Sequence, residues 1–255
     1  MPKNILEEFF QSAPGRTGAI LTDSEGRAIF EVNSNMKAPS ASTIKTLIMA
    51  ETARQIEAGT LSENMILSIP EDDKLEDSIL GLLGAQEYTL DDLVTMMIII
   101  SDNTATNAVI DLVTMEKVNS LARQLGMNET SLQRKMLDWE AVKQGRQNYT
   151  SPRDLAALFR NIINNKLPMC DWMMWKLFHQ KHSAKFTAHL PENVLTAHKP
   201  GSIDRLEADS GVIYLGNEPF IWCVIVDDVP NREGEEFISR ATGACYEFLT
   251  SRPRK

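Results

Sequence analysis

The sequence is short of the features that would assign it to several broad classes. It has three cysteines, Cys170, Cys223 and Cys245, an odd number with no C-x-x-C pair. A disulfide framework needs an even set at characteristic spacing, so buried free thiols in a reducing compartment are expected instead. The longest apolar stretch, "LVTMMIIIS", is about half the length of a membrane-spanning helix. The opening "MPKNILEEFFQSAPG" lacks the apolar core of a signal peptide and carries Glu7 and Glu8. As given, the chain reads as soluble and cytoplasmic with no membrane partner; the alternative is an exported protein whose leader has been removed. Positive charge is also scarce. Lys and Arg number 26 against 35 Asp and Glu, for a formal charge of -9, which argues against nucleic acid as the main partner. There is no repeat or low-complexity segment. No cofactor is implied, and a monomer or weak oligomer is expected.

What is present is a chain of 255 residues, 43 % hydrophobic, long enough for a sizeable core. Residues 3 to 12 have apolar residues at helical spacing. "TGAILTD" and "AIFEVN" read as a hairpin around "SEGR". From residue 41 to about 182 the pattern is helical, with Thr89 as an N-cap followed by Asp91 and Asp92. Helices are expected at 103 to 113, 116 to 125, 152 to 164 and 169 to 180. "LTAHK", "ADSGVIYLG" and "PFIWCVIVDD" then read as strands, and "GEEFISRATGACYEFLTS" as a closing helix. The expected fold is two-lobed α/β. Residues 1–38 and 183–255 supply a five-stranded antiparallel sheet flanked by the terminal helices. Residues 39–182 form an inserted all-helical lobe, with a substrate cleft between the two.

Three short stretches carry possible chemistry. "PSASTIKTLIMAETA" has Ser42 and Lys45 three apart at a helix start. Free N–H groups there favour an alkoxide, and a desolvated lysine on the same face is able to act as a base. The plainer reading is a serine N-cap and a solvated lysine. Ser34 and Lys37 repeat the spacing but precede Pro39, so no helix face holds them in register. "IIISDNTATNA" sets Ser101, Asp102 and Asn103 after a buried run, where a hydroxyl could relay a proton and an amide could bind a substrate; a helix-to-helix turn is the plainer reading. "TAHKPGSIDR" puts Lys199 at a strand end, suited to a carboxylate. Gly201 there allows close approach of a ligand, and the Ser202 N–H could serve as an oxyanion donor beside that of Ser42; a strand-ending turn is again the alternative.

S-x-x-K opening a helix, S-D-N within the helical block and K-x-G on a late strand, in that order, are the motif set of class A β-lactamases and penicillin-binding proteins. On these residues the chain resembles the class A β-lactamase-like serine hydrolases over nearly its whole length. The resemblance implies that Ser42 is acylated, Lys45 activates it, and Ser101 passes a proton to the leaving nitrogen. It implies that Asn103 holds the substrate's amide and Lys199 its carboxylate. A small acyl substrate, a β-lactam or a cell-wall-like amide, is implied as the partner.

The chain also departs from that pattern. "HKPG" replaces the commoner His-Lys-Thr-Gly. Setting Leu132 and Arg134 on the family's Leu-x-Arg puts Met136 where class A enzymes carry the glutamate that activates the deacylating water. Asp138 and Glu140, two and four residues on, are the candidates to replace it. Ser210 stands where many relatives have a carboxylate-binding arginine, and Arg205 is its candidate substitute. These departures leave a β-lactamase, an esterase or peptidase for small acyl groups, and a penicillin-binding or sensor protein that stays acylated; a scaffold that has lost the chemistry is a further alternative, against which the intact Ser42, Lys45, Ser101, Asn103 and Lys199 set counts. Cys170, His179 and His182 match no zinc spacing, so no metal is expected. "PEDDKLED" reads as a solvated acidic stretch at the cleft rim, and His198 as a support for the strand end.

Overall fold

The computed structural model describes residues 5–252. Five strands, β1 (Arg16–Thr22), β2 (Ala28–Val32), β3 (Thr196–Ile203), β4 (Leu206–Leu215) and β5 (Glu218–Asp227), form one sheet in the order β2-β1-β5-β4-β3. Every neighbouring pair is antiparallel. The β1–β5 pairing, with Ala19 opposite Val224, joins the two ends of the chain, as expected from the two strand-rich terminal regions. β4 and β5 meet at a two-residue turn, Gly216-Asn217, where Gly216 takes φ 64°. A glycine accepts that conformation without a steric penalty.

The helices of six residues or more are α1 (Ile5–Phe10), α2 (Lys45–Glu57), α3 (Leu90–Ile99), α4 (Asn103–Val113), α5 (Met115–Gln124), α6 (Pro152–Ile163), α7 (Cys170–Phe178) and α8 (Asn231–Ser251). Their starts carry the expected chemistry. Thr89 and Asp92 form a reciprocal capping box on α3, Asp102 caps α4 through Ala105 N–H, and Ser151 caps α6 ahead of Pro152. Residues 3 and 4 of the first expected helix lie outside the described residues, as do the outermost residues of the expected sheet lobe.

Alternation along the strands divides the core. Phe220, Trp222, Val224 and Val226 of β5 face α1 and α8, packing with Leu6, Phe10, Ile238 and Leu249. The intervening Ile221, Cys223 and Ile225 join Ile20, Ala208 and the apolar side chains of the helical block. Period-2 alternation with both faces apolar is what a sheet covered on both sides requires. α6 lies directly on β1, β4 and β5. α2 runs through the helical block with Lys45, Glu51 and Gln55 all buried, the pattern of a helix surrounded by others. The three thiols are buried and unpaired. No helix among the described residues is long and apolar enough to cross a membrane.

Two local differences from the sequence reading matter. The helix expected from residue 41 begins as a four-residue 3-10 turn, Ala41–Ile44, before α2. β3 does not stop at Lys199 but runs through Pro200 to Ile203. Proline is tolerated there because β3 is an edge strand, where a missing N–H breaks no ladder. Two short strand pairs, Ala38–Pro39 with Tyr149–Thr150 and Ile66–Ser68 with Glu87–Thr89, are too brief to leave a periodic signal.

Candidate active site

A cavity of about 680 Å³ opens between the sheet edge and the helical block, lined by Ser42, Ser101, Asn103, Gly201 and Ser202 among others. Three distant parts of the sequence build it. Ser42 stands in the turn before α2, straight after Ala41, whose φ of 45° bends the chain. Neither plainer reading of this turn holds. Ser40 makes no side-chain cap, and Lys45 is 0 % exposed. Ser42 Oγ has no hydrogen-bond partner among the described residues, so its hydroxyl is left to the cavity.

Lys45 Nζ donates to Ser101 O at 2.7 Å, Ser101 Oγ at 3.1 Å and Asn103 Oδ1 at 2.7 Å. Lys199 Nζ donates to the same Ser101 Oγ at 3.1 Å and to Pro200 O at 3.0 Å. One hydroxyl thus bridges two buried amines. Burial lowers Lys45 to a pKa of about 7, against the opposing pull of Asp102 and Asp77. Lys199 is held well below the ordinary lysine range, first by burial and then by the charge of Lys45. Desolvation and a like charge act in the same direction on a cation.

Ser101 itself has φ 61°, an uncommon backbone region for a serine. The segment after α7 holds it there. Gln180 Nε2 donates to Ile98 O, Lys181 N to Ile99 O, and the His182 ring to Ile100 O. The last carbonyls of α3 are satisfied in sequence, and the strained residue follows. Asp102 completes the turn by accepting from Ala105 N and Leu80 N.

β3 comes very close to the Ser42 turn at Gly201. A Cβ there would lie 3.0 Å from Ser42 N and 3.1 Å from Thr43 N. Gly201→Ala is therefore expected to lower stability by about 1–3 kcal/mol through overpacking and to slow acylation of Ser42. Chemical denaturation and adduct formation rates measure the two effects.

Three expected site residues lie elsewhere. Asp138 caps the short helix Trp139–Lys143 through Ala141 N–H, and Glu140 is paired with Lys143. Neither lines the cavity, because the left-handed Leu137 (φ 59°) turns the chain into that short helix. The Arg205 guanidinium is exposed and bonded to Asp228, since Asp204 and Arg205 form the β3–β4 turn beyond the cleft. Ser210 is buried and its Oγ donates to Lys199 O at 3.4 Å. Met136 is held by its backbone: its N–H donates to Asn107 Oδ1 at 2.7 Å, and Asn107 Nδ2 donates to its carbonyl at 3.2 Å. Asn107 is one helical turn from Asn103 on α4, so Met136 is tied to the helix that carries Asn103.

The second wall is built by residues that no local motif marks. Lys185 is buried and bonded to Gly201 O and to Glu207, which also accepts from Ser202 Oγ and Asn231 Nδ2. Lys181, His182 and Glu235 line the same cavity. Asp77, from the acidic stretch, accepts from Asn103 Nδ2 at 2.8 Å. Cys170 and His179 each bond a backbone carbonyl of their own helical region. His198 bonds Asp209 at 2.9 Å with the Phe186 ring stacked on it.

Known proteins carry this architecture. β-Lactamases CARB-3 and PSE-4 of Pseudomonas aeruginosa are each 29 % identical over 155 residues, 60 % of this chain. The chain spans about half the length of these relatives, 54 %. A β-lactamase from Sphaerobacter thermophilus DSM 20745 superposes with a TM-score of 0.88 at 26 % identity, over 98 % of both chains. PBP-A shares the fold, with a TM-score of 0.89 at 24 % identity over 98 % of this chain and 97 % of its own. The model of the β-lactamase enzyme family matches residues 1–249, nearly the full sequence, and on that extent the chain belongs to this family.

Proposed function

We propose that this protein is an acyl-serine enzyme of the β-lactamase type, acting on a β-lactam or a related small amide or ester and releasing the acyl group slowly. The observation that carries the reading is the meeting of Lys45 and Lys199 on Ser101 Oγ beside the unpartnered Ser42 hydroxyl. In its neutral form Lys45 takes the proton of Ser42 as Oγ attacks the substrate carbonyl. The carbonyl π electrons move onto oxygen, stabilised by the N–H groups of Ser42 and Ser202. On collapse the C–N bond breaks, and Ser101 gives its proton to the leaving nitrogen. Ser101 is reprotonated from Lys45 along the hydrogen bond between them. Lys199, on the β3 side of the cavity, receives the substrate carboxylate. Asn103 orients the acyl side.

Slow release follows from Met136. A thioether accepts no proton from water, and Asp138 and Glu140 are engaged away from the cavity. Met136→Glu is expected to raise the deacylation rate by about 10²-fold, the lower part of the range for an added general base. The decay of the acyl adduct, followed by intact mass, measures it.

The reading as a whole is tested with a chromogenic cephalosporin while intact mass is recorded over time. A persistent Ser42 adduct with slow turnover is the expected result. Fast turnover without adduct makes the protein an efficient β-lactamase. Hydrolysis of a simple ester with no β-lactam adduct makes it an esterase on small acyl groups.

A further inference from the structure

The acyl-side wall of the cavity contains a carboxylate that the acyl-serine chemistry does not use. Asn103 is occupied at both ends, by Lys45 at Oδ1 and by Asp77 at Nδ2. Asp77 lines the same cavity as Ser42 and is exposed. Its Oδ1 has no hydrogen-bond partner, and it forms no ion pair among the described residues. Nor is it on a loose loop. Leu75 N–H donates to Thr104 Oγ1 at 2.9 Å, and Leu80 N–H donates to Asp102 Oδ2 at 2.9 Å. Those two anchors, one on each side of Asp77, belong to the residues that flank Asn103. The carboxylate is therefore fixed relative to the amide before any substrate arrives. Just beyond it, Ile79 and Leu82 are 48 % and 77 % exposed, an apolar surface beside an anion. The buried cations Lys185 and Lys199 belong to the other wall, at β3.

We infer that Asp77 and Asn103 form a subsite for a cationic acyl group, so that the preferred substrates carry an ammonium on the acyl side of the scissile amide and a carboxylate on the leaving side. The inference rests on the acyl-serine reading above. An ammonium next to the carbonyl donates to the free Asp77 oxygen, and its hydrocarbon body lies toward Ile79 and Leu82. An anionic acyl group meets Asp77 with like charge and is disfavoured.

Three penicillins with one nucleus separate the possibilities: ampicillin with an α-ammonium, benzylpenicillin with no charge there, and carbenicillin with an α-carboxylate. The second-order rate of Ser42 acylation is read by intact mass. An ion pair at an exposed site is expected to favour ampicillin over benzylpenicillin by up to about fivefold, with carbenicillin slower by a similar factor. Raising the salt concentration compresses both ratios. Asp77→Asn brings the three rates to within about twofold of one another, and Asp77→Glu retains the order. The ratio is the readout, because Asp77 also reaches Lys45 through Asn103 and its loss shifts all three rates together. Equal rates in the unmodified protein, or an ammonium preference that survives Asp77→Asn, overturn the subsite while leaving the acyl-serine reading intact. Failure of all three compounds to label Ser42 overturns that reading, and the subsite with it.

Discussion

Ser42→Ala is expected to abolish the acyl adduct and to lower turnover of any β-lactam or ester by at least about 10⁴-fold, as loss of a nucleophile does elsewhere. Two serines compete for the role, and their hydrogen bonds separate them. Ser101 Oγ receives two lysine N–H groups at 3.1 Å each, which ties its lone pairs to the protein. Ser42 Oγ has no such tie and lines the cavity next to the close approach of β3. Peptide mapping of the labelled protein decides between them: the adduct belongs on the peptide containing Ser42. Label retained in Ser42→Ala, or found on Ser101, overturns the assignment.

The second large effect concerns Lys45. Lys45→Met is expected to slow acylation by about 10³- to 10⁴-fold, the upper range for a general base. Its pH profile separates a base from a packing residue. Burial brings the Lys45 amine to a pKa of about 7, so the neutral form that accepts the Ser42 proton gains population as pH rises through that value. Acylation then increases up to about pH 7 and levels above it. That rise belongs to a coupled pair of amines sharing Ser101 Oγ. Lys45→Met should remove the rising limb and leave a flat residual rate there. The same burial sets a stability trend. The unfolded chain has Lys45 near 10.5 and binds more protons than the folded one from about pH 7 to that value. Folding stability contributed by this group therefore increases with pH across the window, and denaturation midpoints of the two proteins measure the difference.

Much of this site could be read before folding was considered. Ser42, Lys45, Ser101, Asn103, Lys199 and Gly201 lie in three short motifs, and the cavity brings all three together. Local chemistry was equally legible: the Thr89 capping box, the Asp102 cap and the alternation of β5 are short-range patterns. The residues that were misread or missed depend on chain direction over longer distances. Asp138 and Glu140 are close in sequence to Met136, yet Leu137 turns the backbone and sends both into another helix. Arg205 closely follows β3 in sequence, yet as a turn residue it points outward to Asp228. Lys185 and Glu207 gave no signal because their pairing joins a four-residue helix to a strand some twenty positions on.

The sequence by itself determined the element order, the antiparallel sheet built from both ends and the three motifs that meet at the cavity, because apolar periodicity, caps and motif spacing are written within a few residues. Only the tertiary structure decided the burial of Lys45 and Lys199, the unpartnered state of the Ser42 hydroxyl and the place of the Asp77 carboxylate in the cavity wall. Those properties come from burial and from distances between segments far apart in the chain, where desolvation and Coulomb interaction, rather than residue type, set the chemistry.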